Sequence, residues 1–140
     1  TLHCLPKTAW ASDFLGADAE DIATIITAIG NHDEHTAEPV NPVAAALILA
    51  DKTDVRYTRV RETDPAKFDI HDRVNFAVRN ARTYVDDACE SVTLEMTVDT
   101  QYCSVMDYFE IFLGRMLLCR KAAERLGITF RLVINGQRLL

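Results

Sequence analysis

"RVNFAVRNARTYVD" (residues 73–86) and "SVTLEMTVDT" (residues 91–100) decide the fold class of this chain. Both stretches alternate apolar and polar side chains and are rich in β-branched residues, a pattern typical of half-buried strands. The polar residues from Asp86 to Glu90 separate the two stretches and predict a turn between them. The sequence therefore predicts two paired strands in the second half of the chain.

The residues that follow predict a helix and a hairpin. We expect one long helix from about Ser104 to Leu126, and Gly127 provides its C-terminal stop. Asn135-Gly136 lies between apolar runs near the end of the chain, and this dipeptide is a strong signal for a tight hairpin. Residues 63–140 are therefore predicted to form a small, mainly antiparallel sheet with the long helix packed on it.

The first part of the chain has a helical pattern instead. We expect a helix from Leu2 to Leu15, and "ADAEDIATIITAIG" (residues 17–30) combines Asp18 as an N-cap with isoleucines at helical spacing. A third helix is predicted to begin after Asn41 and to run to about Arg61, apolar in its first half and charged in its second. The predicted fold class is α+β, with an all-helical part over residues 1–62 and an α+β subdomain over residues 63–140.

Composition excludes several classes of protein. The chain has 140 residues, of which 49% are hydrophobic, enough for one domain or for two small units that share a core. A net charge of -6 argues against nucleic acid as a partner, because such proteins normally present a basic face. No apolar run approaches the roughly 20 residues needed to span a bilayer, so we expect a cytoplasmic protein without a membrane partner. The four cysteines form no CxxC pair, which argues against a zinc ribbon or a disulfide framework.

Histidine and aspartate residues in the first part are candidates for a metal site. They are His3, His32, Asp33, His35 and Asp51. Imidazole nitrogen and carboxylate oxygen suit a divalent Mn, Fe, Zn, Ni or Mg ion, and a bound ion would activate water and neutralise phosphate oxygens. The alternative interpretation is a solvated loop that happens to contain histidines.

Basic residues after Asp51 are candidates for binding a phosphate group. Lys52, Arg56 and Arg59 have the spacing i, i+4, i+7, so on a continuous helix they would share one face. A helix end with salt bridges on its exposed surface is the alternative interpretation of the same residues. In the predicted long helix, we expect an apolar stripe to pack on the sheet and Arg115, Arg120 and Arg125 to be solvated.

"AIGNHDEH" (residues 28–35) and "PVNPVAAALILADKTDVRYTRVR" (residues 39–61) together resemble the later portion of an HD-domain metal-dependent phosphohydrolase. The resemblance covers about the first 60 residues. It implies a helical bundle in which a histidine, a His-Asp dyad and a final aspartate hold the metal. Asp51 resembles that final aspartate.

The resemblance allows two alignments. In the first, His3 is the first ligand, His32-Asp33 is the dyad and Asp51 is the last ligand. In the second, His3 and His32 resemble the additional histidines of two-metal family members, and the dyad lies upstream of Thr1, so that the chain begins inside its domain. The short separation of Asp33 from Asp51 favours the second alignment. His71-Asp72 also reads as a His-Asp pair, but we expect it in a linker just before a strand.

The expected function is hydrolysis of a small phosphomonoester or phosphodiester, with a nucleotide-like substrate among the possibilities. The resemblance implies roles by type: catalytic for Asp33; metal ligation for His3, His32 and Asp51; and contact with substrate phosphate for Lys52, Arg56 and Arg59. A homodimer is the expected assembly. The alternative from a different class is a non-catalytic interaction or regulatory module, with a degenerate HD-type domain that mediates dimerisation.

Overall fold

A computed structural model describes residues 16, 18–33, 37–55, 57–60 and 64–140, with Arg59 and Pro65 described by their backbone only. The described helices and strands, in chain order, are α1 (Ala19–Gly30), α2 (Pro42–Lys52), α3 (Ile70–Ala77), β1 (Val78–Val85), β2 (Ser91–Val98), α4 (Val105–Arg125), β3 (Thr129–Ile134) and β4 (Gln137–Arg138). Short 3-10 helices lie at Tyr57–Arg59 and Pro65–Lys67. The predicted helix from Leu2 to Leu15 lies outside the described residues.

The four strands form one mixed sheet in the order β1-β2-β3-β4. β1 and β2 are antiparallel, β2 and β3 are parallel, and β3 and β4 are antiparallel. α4 joins the two parallel strands, since a chain that re-enters a sheet in the same direction needs a long crossover connection. The prediction of a mainly antiparallel sheet is therefore wrong, because the long helix carries the chain back to the end at which β2 begins.

The predicted all-helical HD-type part is also not what the described residues show. They form a small α+β fold of four α-helices and a four-stranded sheet. α2 packs against α4, and α4 packs against β3, so α2 belongs to the helix layer that covers the sheet. The apolar first half of α2 is buried by this contact rather than by a separate helical bundle.

One hydrophobic core joins the helices to the sheet. On the sheet side, side chains of β2 and β3 pair in register: Val92 with Phe130, Leu94 with Leu132, and Met96 with Ile134. On the helix side, the core contains Ala45, Ile48 and Leu49 of α2, and Tyr108, Phe112, Met116 and Cys119 of α4. The boundary between residues 62 and 63 stays a prediction, although side chains from both sides of it enter this core.

The predicted helix caps are confirmed. The Asp18 Oδ1 atom accepts hydrogen bonds from the backbone N–H groups of Glu20 and Asp21, each at 2.9 Å. Asn41 Oδ1 accepts from the backbone N–H of Ala44 at 2.7 Å, and Pro42 opens α2. Each cap satisfies a donor that has no partner within its helix. These local bonds explain why both helices begin where the sequence predicts.

The first strand begins later than predicted, because residues 73–77 belong to α3. Asp69 accepts a hydrogen bond from the backbone N–H of Asp72 at 2.8 Å and so caps this helix. Val74 and Ala77, three residues apart, are both fully buried on its inner face. His71-Asp72 therefore lies in the first turns of a helix, and its predicted position in a linker is wrong.

None of the described helices combines the length and apolar character needed to cross a membrane.

The hairpin at Asn135-Gly136 is confirmed. The two residues have φ angles of +52° and +79°, the left-handed values that a tight turn of this kind requires. The Asn135 side chain also reaches the end of β2, where its Oδ1 accepts from the Val98 N–H at 2.8 Å and its Nδ2 donates to the Val98 carbonyl at 3.0 Å. A residue of the hairpin turn therefore also bonds both backbone groups of the last residue of β2.

We predict that Asn135→Ala lowers the free energy of unfolding by about 2 kcal/mol, because both backbone groups of Val98 lose their side-chain partners. Urea titration followed by circular dichroism measures this loss. Gln137→Ala, at an exposed position two residues further on, is the control and should change stability by less than about 0.5 kcal/mol. Equal stabilities of the Asn135→Ala and Gln137→Ala variants would show that the Val98 backbone does not depend on this side chain.

Candidate functional site

Asp51 and Lys52 form an ion pair at the C-terminal end of α2. Lys52 Nζ lies 2.5 Å from Asp51 Oδ2, and the two side chains are 6% and 38% exposed. A buried ammonium group loses its hydration and is stable only beside a hydrogen-bonding partner of opposite charge. The charge of Lys52 is therefore directed at Asp51.

The pKa of Asp51 is lower than its ordinary value. Burial by itself raises this pKa, but the hydrogen bond and the positive charge of Lys52 act in the opposite direction, and the charges of His32 and Arg115 add to them. Asp51 is consequently a carboxylate at neutral pH. The side chains whose charges act on it come from three helical regions: the end of α1, α2 itself and the middle of α4.

His32 lies just beyond the end of α1 with its ring held in one orientation. Its Nδ1 atom is 2.6 Å from the backbone carbonyl oxygen of Ile29. A carbonyl oxygen can only accept a hydrogen bond, so Nδ1 carries the hydrogen. In the neutral ring this leaves a lone pair on Nε2, and the same arrangement orients histidines that bind metals.

The other predicted metal ligands have no shown contact with Asp51 or lie outside the described residues. Asp33 is exposed in the bend that follows α1. His3 and His35 lie outside the described residues. Among the described residues, His32 is the predicted metal ligand whose charge acts on Asp51.

The predicted helix face of Lys52, Arg56 and Arg59 does not form, because α2 ends at Lys52. The Thr53 hydroxyl donates to the Leu49 carbonyl at 2.7 Å, and the fully buried Val55 takes the chain into the core. Arg59 then lies in a separate 3-10 helix with its side chain outside the description, and Arg56 is outside the described residues. The predicted extension of α2 to Arg61 is wrong.

The described residues do not by themselves assemble a metal site. They contain no group of three or more His, Cys, Asp or Glu side chains arranged to hold one ion. His32 and Asp51 offer two donors, whereas protein metal sites commonly use three or four protein ligands. Further donors would have to come from residues beyond the described ranges, from substrate or from water.

Arg115 lies within electrostatic reach of Asp51, which the sequence did not predict. It was expected to be solvated, but it is half-buried, and its guanidinium carbon lies 5.0 Å from the centre of the Phe112 ring. The available signal was its spacing from Tyr108 and Phe112, since positions i, i+4 and i+7 share one helix face. The apolar stripe predicted for α4 is buried at Tyr108, Phe112 and Met116.

A cleft of about 500 Å³ lies beside the end of α2. Residues from α2, the segment after it and β1 line it: Ala50, Thr53, Asp54, Ala81 and Thr83. Ala50 and Thr53 flank the Asp51-Lys52 pair in sequence. A small polar molecule in this cleft would therefore lie next to the candidate site.

No known protein family, curated protein or solved structure matches this chain.

The ion pair predicts a pH dependence of stability. The pKa of Asp51 is lower in the folded chain than its ordinary value of 3.8, so the stability that its charge contributes is present above pH 3.8 and is lost as the pH falls through the folded pKa. We expect Asp51→Asn to be less stable than the natural chain at neutral pH, and the two to converge in acid. Urea unfolding between about pH 2 and pH 7 tests this linkage.

Asp87→Asn is the matched control, because Asp87 is exposed in the turn between β1 and β2. Its stability curve should stay parallel to that of the natural chain. A constant difference between Asp51→Asn and the natural chain at every pH would contradict the lowered pKa.

Proposed function

We propose that this protein is a metal-dependent phosphohydrolase and that His32 and Asp51 are two ligands of its divalent metal. The position of His32 within electrostatic reach of Asp51 carries the proposal. His32 presents Nε2 as the lone-pair nitrogen because Ile29 holds Nδ1, and Asp51 is kept ionised beside Lys52. Imidazole nitrogen and carboxylate oxygen suit Mn, Fe, Zn, Ni or Mg.

Lys52 is proposed to position Asp51. Its ammonium group holds Oδ2 at 2.5 Å, so the carboxylate has a defined orientation and keeps Oδ1 for a second partner. The Lys52 side chain is only 6% exposed. A substrate phosphate could therefore contact its ammonium group only beside the bond to Asp51. This differs from the direct phosphate contact that the sequence suggests.

The remaining roles rest on the sequence resemblance. Asp33 is proposed as the proton acceptor, and its exposed carboxylate directly follows His32 in the chain. His3 is proposed as a further ligand, and Arg56 and Arg59 as contacts to the substrate phosphate. A bound metal would supply a water of lowered pKa and would neutralise phosphate oxygens.

The proposed substrate is a small phosphomonoester or phosphodiester, with nucleotide-like compounds as the first class to screen. The net charge of -6 supports neither DNA nor RNA as a main partner. The cytoplasm is the proposed location, where the cysteines would be reduced. Cys89 and Cys103 are free thiols in the described part of the chain.

Metal analysis and phosphatase assays of the chain and of its variants test the proposal. We expect His32→Gln and Asp51→Asn to lose bound metal and to lower kcat with an aryl phosphate by more than about a hundredfold. His71→Gln is the matched control, because His71 is exposed and is also followed by an aspartate. Full metal content and activity in Asp51→Asn would rule out the assignment.

The second candidate function is a non-catalytic regulatory module that forms a homodimer. The apolar side chains of α1 favour it: Ile25, Ile26 and Ile29 are 44%, 37% and 41% exposed, and exposed apolar patches are typical of association surfaces. Only Ala28 of this helix is buried.

Analytical ultracentrifugation separates the two candidates. The module predicts a dimer that binds no divalent metal and that Ile26→Asp weakens by at least about tenfold, because a charge would enter the apolar contact. Val85→Asp, at an exposed position of β1, is the control. A monomer with metal-dependent activity would reject the module.

A further inference from the structure

β1 is an open edge of the sheet. The strand order β1-β2-β3-β4 gives it one strand neighbour, and β1 has eight residues whereas β4 at the opposite edge has two. Among the described residues, the backbone groups of residues 80–85 have β2 as their only backbone partner. A strand whose N–H and C=O groups are unpaired along one side is a template for a further strand.

The inner face of β1 is uncovered toward its end. Directly opposed residues share a face of a sheet, and core residues of β2 are opposite Ala81, Thr83 and Val85. Ala81 packs against the core, but Thr83 is exposed and Val85 is 54% exposed. The cleft beside the end of α2 is lined by Ala81 and Thr83. The helix layer therefore ends short of β1 and leaves an apolar side chain beside the open edge.

The charges of β1 favour a second copy of the same strand as its partner. Arg79 and Arg82 lie in the first half of β1, and Asp86 and Asp87 directly follow its last residue. Like charges opposite each other destabilise a strand pair, and unlike charges stabilise it. Antiparallel self-pairing places the basic half of each copy beside the acidic end of the other, whereas parallel self-pairing opposes like charges.

The alternation of side chains limits the register of such a pair. Because opposed side chains share a face, the two-fold axis passes through a residue rather than between two residues. An axis at Arg82 opposes two arginines, and an axis at Tyr84 shortens the paired stretch. An axis at Thr83 opposes the two Thr83 side chains to each other and Ala81 to Val85.

The same register opposes Arg82 to Tyr84 of the second copy on the outer face of the sheet. Within one chain, the Arg82 guanidinium carbon already lies 5.1 Å from the Tyr84 ring centre, a cation–π contact. The pairing therefore gives each arginine a ring from either copy. An axis at Thr83 opposes no two like charges within the strand.

We propose that β1 is a dimerisation edge that pairs antiparallel with β1 of a second copy of this chain, with the two-fold axis at Thr83. The two mixed sheets become one continuous sheet, and Val85 of the second copy lies beside Ala81 at the cleft. A contact of one strand pair is smaller than a standard interface, so the expected Kd is on the order of 10–100 µM. The inference does not depend on the metal chemistry of the proposed function.

Sedimentation equilibrium of the complete 140-residue chain measures this dimer. Thr83→Asp and Thr83→Lys each oppose two like charges at the axis, so each should weaken the dimer by about tenfold or more. An equimolar mixture of the two variants opposes unlike charges and should restore association to within about threefold of the natural chain. Only self-pairing at Thr83 predicts this recovery.

Thr97→Asp is the matched control, because Thr97 is an exposed threonine of β2, which lies inside the sheet. It should change the dimer Kd less than about twofold. Thermal unfolding checks that each variant is folded. If the Thr83 variants do not fold, Val85→Asp carries the test, because it places a charge opposite Ala81 and must weaken the dimer.

Three results overturn the inference: a natural chain that stays monomeric up to about 500 µM, an unchanged dimer in Thr83→Asp, or a mixture that associates no better than its separate variants. A dimer formed through α1 behaves differently, since Ile26→Asp weakens it and Val85→Asp does not. Metal-dependent hydrolysis by a monomer supports the enzyme and rejects the β1 edge. A dimer that depends on Thr83 in a chain that hydrolyses nothing supports the β1 edge and rejects the enzyme.

Discussion

The packing of α2 against α4 determines where the candidate side chains of this protein lie. Ile48 and Leu49 of α2 enter the same core as Phe112 and Met116 of α4. This contact orients the last turn of α2 so that Asp51 lies within electrostatic reach of Arg115. Since α4 also covers β2 and β3, the position of Asp51 depends indirectly on the parallel pairing of those strands.

Burial of Lys52 has a further consequence for the candidate site. A lysine that is 5% exposed must be compensated, and Asp51 is the adjacent group that compensates it. The same ion pair that satisfies Lys52 also keeps Asp51 ionised. Folding and the chemistry of the site are thus coupled, because changing Asp51 leaves the buried charge of Lys52 uncompensated, and changing Lys52 removes the hydrogen bond that lowers the pKa of Asp51.

The features that sequence reading predicted correctly depend on bonds between residues close together in the chain. Asp18 and Asn41 each cap a helix through a backbone N–H two or three residues away. The Asn135-Gly136 turn requires only that two adjacent residues accept positive φ angles. Such bonds form in the same way in almost any surrounding structure, so the residue types alone indicate them.

The sequence-based predictions are wrong where contacts between residues far apart in the chain decide the local structure. The charged half of the predicted third helix has the right spacing for a helix, yet Val55 is buried in the core and the chain leaves the helix after Lys52. Alternating residues at 73–77 suggested a strand, but burial of Val74 and Ala77 on one face favours a helix capped by Asp69. Short apolar alternations fit both periods, and only the packing surface distinguishes them.

The sequence by itself determined the α+β class, the turns, the caps and the residue types able to bind a metal and a phosphate, because these follow from local hydrogen bonding and from side-chain chemistry. Only the tertiary structure decided that the sheet is mixed, that α2 ends at Lys52, and that His32 and Arg115 lie within electrostatic reach of Asp51. These outcomes depend on contacts between residues far apart in the chain. The spacing of residues along the sequence does not specify the distance between two helices. Packing into a shared core does.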